Sequence, residues 1–364
     1  MKILHVITSL RVGGAEKLMV DILPRMRAAG HDVELLCIYG EKTPFSESLE
    51  AAGITVHSLG MWGNMYHPLY LWRMFRFLNK NRYDVIHTHN YAAQLYCAIC
   101  KFFGSVMLCT TEHTTSNRRR AWKWYAAIDR LMYSRYSRII CVSEKAEANL
   151  RNRIKDTSSR ISTIPNGIDV GKIASAIPSK LTNLGEGKSN TKILMMVSRF
   201  YKSKDQDAII RALKLLPDNF HAVFVGDGER RIPCEALAEE LGVRPRTHFL
   251  GVRTDVAQLL KSADIVVMSS HWEGFCLAAA EGMAAGKPVV ASDIEGMGGV
   301  VRGAGILFPE SDEKSLAEAI LKLATDADFY AKTAAACARR AEDFDIGKTV
   351  AGYLAVYESA LSSK

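Results

Sequence analysis

His271-Trp272-Glu273-Gly274-Phe275-Cys276-Leu277-Ala278-Ala279-Ala280-Glu281-Gly282-Met283-Ala284-Ala285-Gly286-Lys287-Pro288-Val289-Val290-Ala291-Ser292 reads as loop, helix, turn and strand. A short apolar, β-branched run, Ile265–Met268, stands just before it. The unit is therefore strand, helix, strand. The same alternation extends outward in both directions. On the carboxyl side comes Ile306–Phe308, and on the amino side Ile193–Val197, Ala222–Val225 and His248–Leu250. A first series precedes these: Ile3–Ile7, Val33–Cys37, Val85–His87, Val106–Thr111, Ile139–Val142 and Ile161–Ile164. Between its first two strands Ala15, Leu18, Met19, Ile22, Leu23 and Met26 follow the spacing of an amphipathic helix. Ser175 to Asn190, polar and holding Pro178, Gly185 and Gly187, reads as a linker. Alternating strand and helix predicts an α/β fold of two doubly wound parallel sheets.

Composition agrees with two folded domains. The chain has 364 residues, 48% hydrophobic and 24% charged, which excludes disorder, collagen-like repeats and coiled coil. The net charge of +8 is unevenly spread: 23 Lys+Arg face 13 Asp+Glu up to Pro165, against 24 and 26 beyond it. The basic residues are densest from Arg118 to Arg160, which suggests a polyanionic partner. Eight scattered cysteines fit a reducing compartment, and Cys97 with Cys100, in an apolar helical stretch, reads as a buried structural pair. The apolar run of the N-terminus is too short for a signal peptide, and no run of 18 apolar residues spans a bilayer. A cytoplasmic location is expected.

Ligands of such sheets sit beyond the carboxyl ends of strands, so the strand-to-helix loops carry the candidate chemistry. Ser9 to Glu16 contains Gly13 and Gly14, which let backbone approach a phosphate at a helix start; it lacks the full G-x-G-x-x-G spacing. After Ile193–Val197, Arg199 and Lys204 are two cations able to clamp a diphosphate. Glu273 precedes the alanine-rich helix and Glu281 lies within it, where a carboxylate can accept from two neighbouring sugar hydroxyls. The amides around Gly274, Phe275, Cys276 and Leu277 open that helix. His87 and His89 are read as pointing to opposite faces of a strand, which argues against joint metal binding. Asp205-Gln206-Asp207 and Asp343-Phe344-Asp345 resemble an Asp-x-Asp metal motif, but Lys204 adjoins the first and a turn surrounds the second, so no metal is expected.

Taken in order, GGAE near the N-terminus, SR-F-x3-K at 198–204, Val225-Gly226-Asp227-Gly228, Phe249-Leu250-Gly251 and Glu-x7-Glu closed by AAGKPVVAS resemble the retaining nucleotide-sugar glycosyltransferases of family 4. Asp84 to His89, Cys141 to Glu144 and Ile164 to Asp169 match as well. The resemblance covers nearly the whole chain. It implies the GT-B fold, two Rossmann-like domains facing across a cleft: an acceptor domain at 1–173, a donor domain at 174–345 and a helix at 346–364 crossing back to the first. It implies that Arg199 and Lys204 hold the nucleotide diphosphate, that Glu281 binds ribose hydroxyls, and that Glu273 lies near the donor sugar. Gly13 and Gly14 approach the phosphates, and His113, in Thr110-Thr111-Glu112-His113, stands at the reacting centre. The backbone around Gly226 and Val252 bears on base choice. One departure is that Ile294-Glu295-Gly296-Met297-Gly298-Gly299-Val300 stands where the family carries a Gly-x-Pro-Glu-like turn, and no role is assigned to it.

The expected activity is metal-independent transfer, with retention, from a UDP- or GDP-linked sugar to a saccharide or lipid-linked saccharide, in polysaccharide or glycolipid synthesis. The nucleotide sugar is a co-substrate; no cofactor and no metal are expected. Arg118, Arg119, Arg120 and Lys123, interleaved with Trp122 and Trp124, suit an acceptor site or an anionic membrane surface, making the protein peripheral on the cytoplasmic face. Two alternatives remain open. A nucleotide-sugar epimerase of the same fold would leave its product on the diphosphate. A basic nucleic-acid-binding protein would explain the charge, but no nucleic-acid module is present and the second half is nearly neutral.

Overall fold

The computed structural model describes residues 1–11, 13–40, 42–61, 65–101, 106–113, 125–179 and 190–362. It divides into two compact units, Met1–Gly167 with Ile346–Lys364, and Ile168–Asp345. In the first, β1 (Lys2–Ile7), β2 (Asp32–Cys37), β3 (Thr55–Ser58), β4 (Val85–His89), β5 (Met107–Glu112), β6 (Arg138–Cys141) and β7 (Ile161–Thr163) form one sheet in the order β3-β2-β1-β4-β5-β6-β7. In the second, β8 (Lys192–Val197), β9 (Phe220–Val225), β10 (Thr247–Phe249), β11 (Ile265–Met268), β12 (Val289–Ser292) and β13 (Ile306–Phe308) are ordered β10-β9-β8-β11-β12-β13. Each pairing is parallel. Both units are thus Rossmann-like, each with a switch in strand order, at β1/β4 and at β8/β11.

Helices cover both faces of the central strands, so their side chains are buried on both; most are apolar, while β4 also buries His87, Thr88 and His89. In β1, Leu4 and Val6 join one core cluster, while Ile3 and Ile7 join another that includes Met19, Val85 and Tyr353. The second cluster contains residues of the last helix, Ile346–Ser362, which belongs to the first unit. Tyr353 and Tyr357 of that helix are fully buried. The second unit has its own core, with Val223, Val266 and Val290 at its centre.

Two differences from the sequence reading have physical causes. Strand β3 was not expected, since Thr-Val-His-Ser at the sheet edge is only partly covered and shows no apolar run. The units meet at Gly167 and Ile168 rather than at 173 and 174, because Ile168, Val170 and Ile173 pack into the second core. All eight cysteines are free and buried; Cys97 and Cys100 lie in the first unit's core, their thiols pushed up by burial.

Candidate functional site

In the second unit the loops after β8 and β11 meet at the switch in strand order, where neighbouring strands send their helices to opposite faces and leave a crevice. After β8, Phe200 is buried and anchors the loop, while Arg199 is exposed with its guanidinium 4.9 Å from the Tyr201 ring centroid. A short turn, Lys202–Lys204, follows, and Asp205 takes a left-handed conformation at φ 48° before the helix Gln206–Leu215. The turn aims Lys204 across to the loop after β11. Its Nζ donates to Oε1 of Glu273, and Ser270 Oγ donates to the same oxygen at 3.0 Å. Both partners of the ion pair are largely shielded, with side chains 18% and 12% exposed. A pair so placed is little screened by solvent, so each charge keeps a strong field at short range.

Backbone contacts fix this arrangement. Ser269 Oγ donates to the carbonyls of Lys204 at 3.1 Å and Asp205 at 2.7 Å, and the His271 amide donates to the Ser203 carbonyl at 2.9 Å. Buried Gln206 donates from Nε2 to Ser198 Oγ and to the Arg199 carbonyl, both at 3.0 Å. Gly226 has φ +130°, and a Cβ there would strike the Ser198 carbonyl; its amide donates to the Gly251 carbonyl at 2.8 Å. Gly226 thus ties the β8, β9 and β10 loops together, and Val252, next to Gly251 in the chain, is exposed.

Gly274, Phe275 and Cys276 lead into the helix Leu277–Ala284, and no side chain caps its first turn. Amides at such a helix start suit an anion. Buried Cys276 is an apolar cap residue rather than a nucleophile, its thiol pushed up to about 12 by burial. Glu281 is half-buried in the middle of the helix. Gly282, one residue on, faces Val266 of β11 at a distance that a Cβ would overfill. The segment at 294–300 has a structural part to play: a Cβ at Gly296 would strike the Glu273 carbonyl, so this glycine lets the helix Glu295–Val301 lie against the Glu273-Gly274 backbone. Of the two Asp-x-Asp segments, Asp207 is held by Arg230 at 2.6 Å and Asp343 by Arg340 at 2.8 Å.

In the first unit Gly13 caps the helix Gly14–Ala28 in extended backbone, and a Cβ on it would meet the Glu16 carboxylate. Thr8, at the end of β1, donates from Oγ1 and from its amide to Oδ1 of Asn90, at 2.7 and 3.1 Å, joining the loops after β1 and β4. His113 follows β5 directly. Its Nε2 lies 3.0 Å from Nδ1 of His89, whose Nε2 lies 3.0 Å from Nδ1 of His5. His87 contacts the Tyr357 hydroxyl through Nδ1 and Thr111 Oγ1, at 2.7 Å, through Nε2.

His87 and His89 share one face of β4, not the opposite faces expected from the sequence. Alternate residues of a strand share a face, and these two rings stack with centroids 4.4 Å apart. Burial drives His5 down to about 3 and His113 to about 4, and lowers His87 and His89 as well, so all four imidazoles are neutral at pH 7.

Of the candidate residues in the sequence, Lys204 and Glu273 are joined directly, and Gly226 lies against the loop carrying Arg199. Arg118, Arg119, Arg120, Trp122, Lys123 and Trp124 lie outside the described residues. Sequence reading missed Gln206, Ser269, Ser270 and Gly296. The two serines were findable, since they immediately follow a strand; the other two act through contacts that no local pattern shows.

The carboxyl-terminal half, residues 185–344, matches the model of glycosyl transferases group 1, and residues 12–172 match that of glycosyltransferase family 4. The chain is 26% identical over 351 residues to the UDP-Gal:alpha-D-GlcNAc-diphosphoundecaprenol alpha-1,3-galactosyltransferase of Escherichia coli, covering 90% of this chain and 88% of that protein. It is 24% identical to the phosphatidyl-myo-inositol mannosyltransferase of Mycobacterium leprae, over 96% and 94% of the two chains. The fold matches that of Anabaena Alr3699/HepE, solved in complex with UDP-glucose, with a TM-score of 0.85 over the whole of both chains at 24% identity. With a glycosyltransferase model matched on each half and the GT-B fold in common with solved relatives, the chain belongs to the family 4, group 1 glycosyltransferases.

Proposed function

We propose that the protein transfers a sugar, with retention, from a UDP- or GDP-linked donor to a saccharide or lipid-linked saccharide. The observation that carries this reading is the shielded Lys204–Glu273 pair at the β8/β11 switch, beside the loop bearing Arg199 and the uncapped start of the helix holding Glu281. In this reading the diphosphate binds Arg199, Lys204 and the amides from Gly274 to Leu277. The ribose hydroxyls donate to Glu281, and Glu273 orients Lys204 and the sugar. Gly13 and Gly14 offer backbone to the phosphates, and His113 meets the sugar or acceptor. The bond from the anomeric carbon to the β-phosphate oxygen breaks with its electron pair going to the phosphate. The acceptor hydroxyl bonds on the same face, and its proton passes to the departing phosphate. The two cations stabilise the charge that grows there, which leaves no task for a metal ion.

The donor class is supported by the UDP-glucose complex of HepE and the acceptor class by the lipid-linked substrates named for the E. coli and M. leprae relatives. Arg199→Ala should reduce transfer by roughly 10²–10³-fold, the typical worth of one group stabilising a developing oxyanion. Undiminished transfer by that variant would refute the assignment. Product sugar that stays on the diphosphate, instead of appearing on an acceptor, would favour the epimerase.

We also propose the helix Pro68–Lys80, within the described residues, as a second surface suited to membrane contact. From Ala51 to Tyr83 the sequence has no Asp or Glu, yet it carries Arg73, Arg76, Lys80 and Arg82. Leu69 and Trp72 of this helix and the nearby Tyr66 are exposed, and Arg76 lies 4.9 Å from the Trp72 ring centroid. Cations beside exposed aromatic and apolar side chains suit an anionic lipid surface. No helix of the described residues is long and apolar enough to cross a membrane. Vesicles containing phosphatidylserine should retain the protein in low salt and release it in high salt, and Trp72→Ala with Arg76→Glu should abolish retention; salt-insensitive or absent binding would sink this surface.

A further inference from the structure

The first unit contains a row of imidazoles, of which the proposed reaction uses His113 alone. His5 on β1 and His89 on β4 are fully buried, and the three rings His5, His89 and His113 run nitrogen to nitrogen with two contacts of 3.0 Å. The rings of His5 and His89 are within 10° of coplanar, with centroids 5.2 Å apart, the geometry of an in-line N–H···N bond. The two end nitrogens, His5 Nε2 and His113 Nδ1, are shielded and have no partner among the described residues.

Counting hydrogens limits the arrangement to two states. Three neutral imidazoles carry one N–H each, two of them fill the contacts between rings, and the third is left at one end of the row. If it sits on His5 Nε2, a donor is permanently buried without an acceptor, which is the rarer and costlier orphan. If it sits on His113 Nδ1, it lies on a residue that is only half-buried and follows the end of β5, on the side of the row away from the sheet core. We propose that His5 and His89 are positioning residues that hold His113 as its Nδ1–H tautomer, so that His113 offers a fixed hydrogen-bond donor, not a base, to a ligand hydroxyl or ring oxygen. Each ring then donates from Nδ1 to the Nε2 of the next, from His5 to His89 to His113. The use made of that donor rests on the glycosyl-transfer reading; the tautomer does not.

A metal ion is the rival occupant, because one nitrogen each from His5, His87 and His89 lies within 4.8 Å of the others. The rings argue against it. His87 and His89 stack at 25°, so their in-plane lone pairs run side by side rather than converging, and both nitrogens of His87 are engaged by Tyr357 and Thr111.

Long-range ¹H–¹⁵N correlation spectra of the full chain labelled with ¹⁵N-histidine test this at neutral pH. Protonated Nδ1 and bare Nε2 are expected for His5, His89 and His113, and Nε2–H on any of the three overturns the proposal. His89→Phe should release His113 to a mixture of tautomers and lower kcat by about tenfold, the worth of one ordinary hydrogen bond, with donor KM little changed. An unaltered His113 spectrum in that variant would also overturn the proposal, and if the variant does not fold the wild-type spectrum decides alone. Zinc added to the wild type should leave the three signals in place; their joint shift would make the cluster a metal site instead. The expected tautomers together with an Arg199→Ala protein that still transfers sugar would preserve this inference and remove the reaction.

Discussion

The two units solve the same problem in opposite ways. Each places polar side chains at the carboxyl ends of parallel strands beside a switch in strand order, where desolvation is costly. The second unit keeps its groups charged by pairing them, Lys204 against Glu273 with Ser270 on the same oxygen. The first keeps its groups neutral by burying four imidazoles in contact with one another and with Thr111 and Tyr357. A charged pair supplies a field that can stabilise a leaving phosphate. A neutral, hydrogen-bonded row supplies direction without charge, which suits holding a sugar whose own transition state is positive.

Breaking the charged side of the comparison has the largest expected effect. Lys204→Ala removes the proposed phosphate contact and takes the cation away from Glu273, so transfer should fall by roughly 10²–10³-fold in a donor-turnover assay. Near-normal turnover would mean that the pair is only structural.

Acid breaks the neutral side. His5 and His113 have folded-state values depressed to about 3 and about 4, below the usual 6.5 of an unfolded histidine. The unfolded chain therefore binds more protons below 6.5, and the stability that these groups confer is complete above that pH and lost as pH falls toward their folded values. Each histidine should cost about 1.4 kcal/mol per pH unit over that window. Urea denaturation at pH 7 and pH 5.5 should show the loss, and His5→Phe should lessen it; equal stability at both values would contradict burial as neutral imidazole.

The smallest effect sharpens the contrast within the second unit. Glu281→Ala should weaken donor binding about tenfold or somewhat more, as for one hydrogen-bonded carboxylate, while turnover at saturating donor changes little. Calorimetric titration with UDP and GDP measures it, and unchanged affinity for both would remove Glu281 from the ribose.

Much of this was legible in the sequence. Periodicity exposed most central strands because buried parallel strands are largely continuous apolar runs, and β4 showed itself by Val85 and Ile86 alone. Strand β3 escaped because an edge strand of four partly covered residues has no such run. Arg199, Lys204 and Glu273 were readable because each is a charged residue in a strand-to-helix loop, and Glu281 because it is a lone carboxylate in the alanine-rich helix that follows. Gly296 was not, since its importance lies in meeting the Glu273 carbonyl from a different helix. The histidines were visible individually, and even their common face follows from strand alternation, but not their contacts.

By itself, then, the sequence determined the alternation of strand and helix, two domains, and the residue types at the strand ends, because these depend on local pattern and spacing. Only the tertiary structure decided which strands are neighbours. That choice pairs Lys204 with Glu273 across 69 positions and joins His5 to His89 across 84. It also returns Tyr357 to His87 from 270 residues away. Such contacts arise from sheet order and helix return, and no short-range signal carries them.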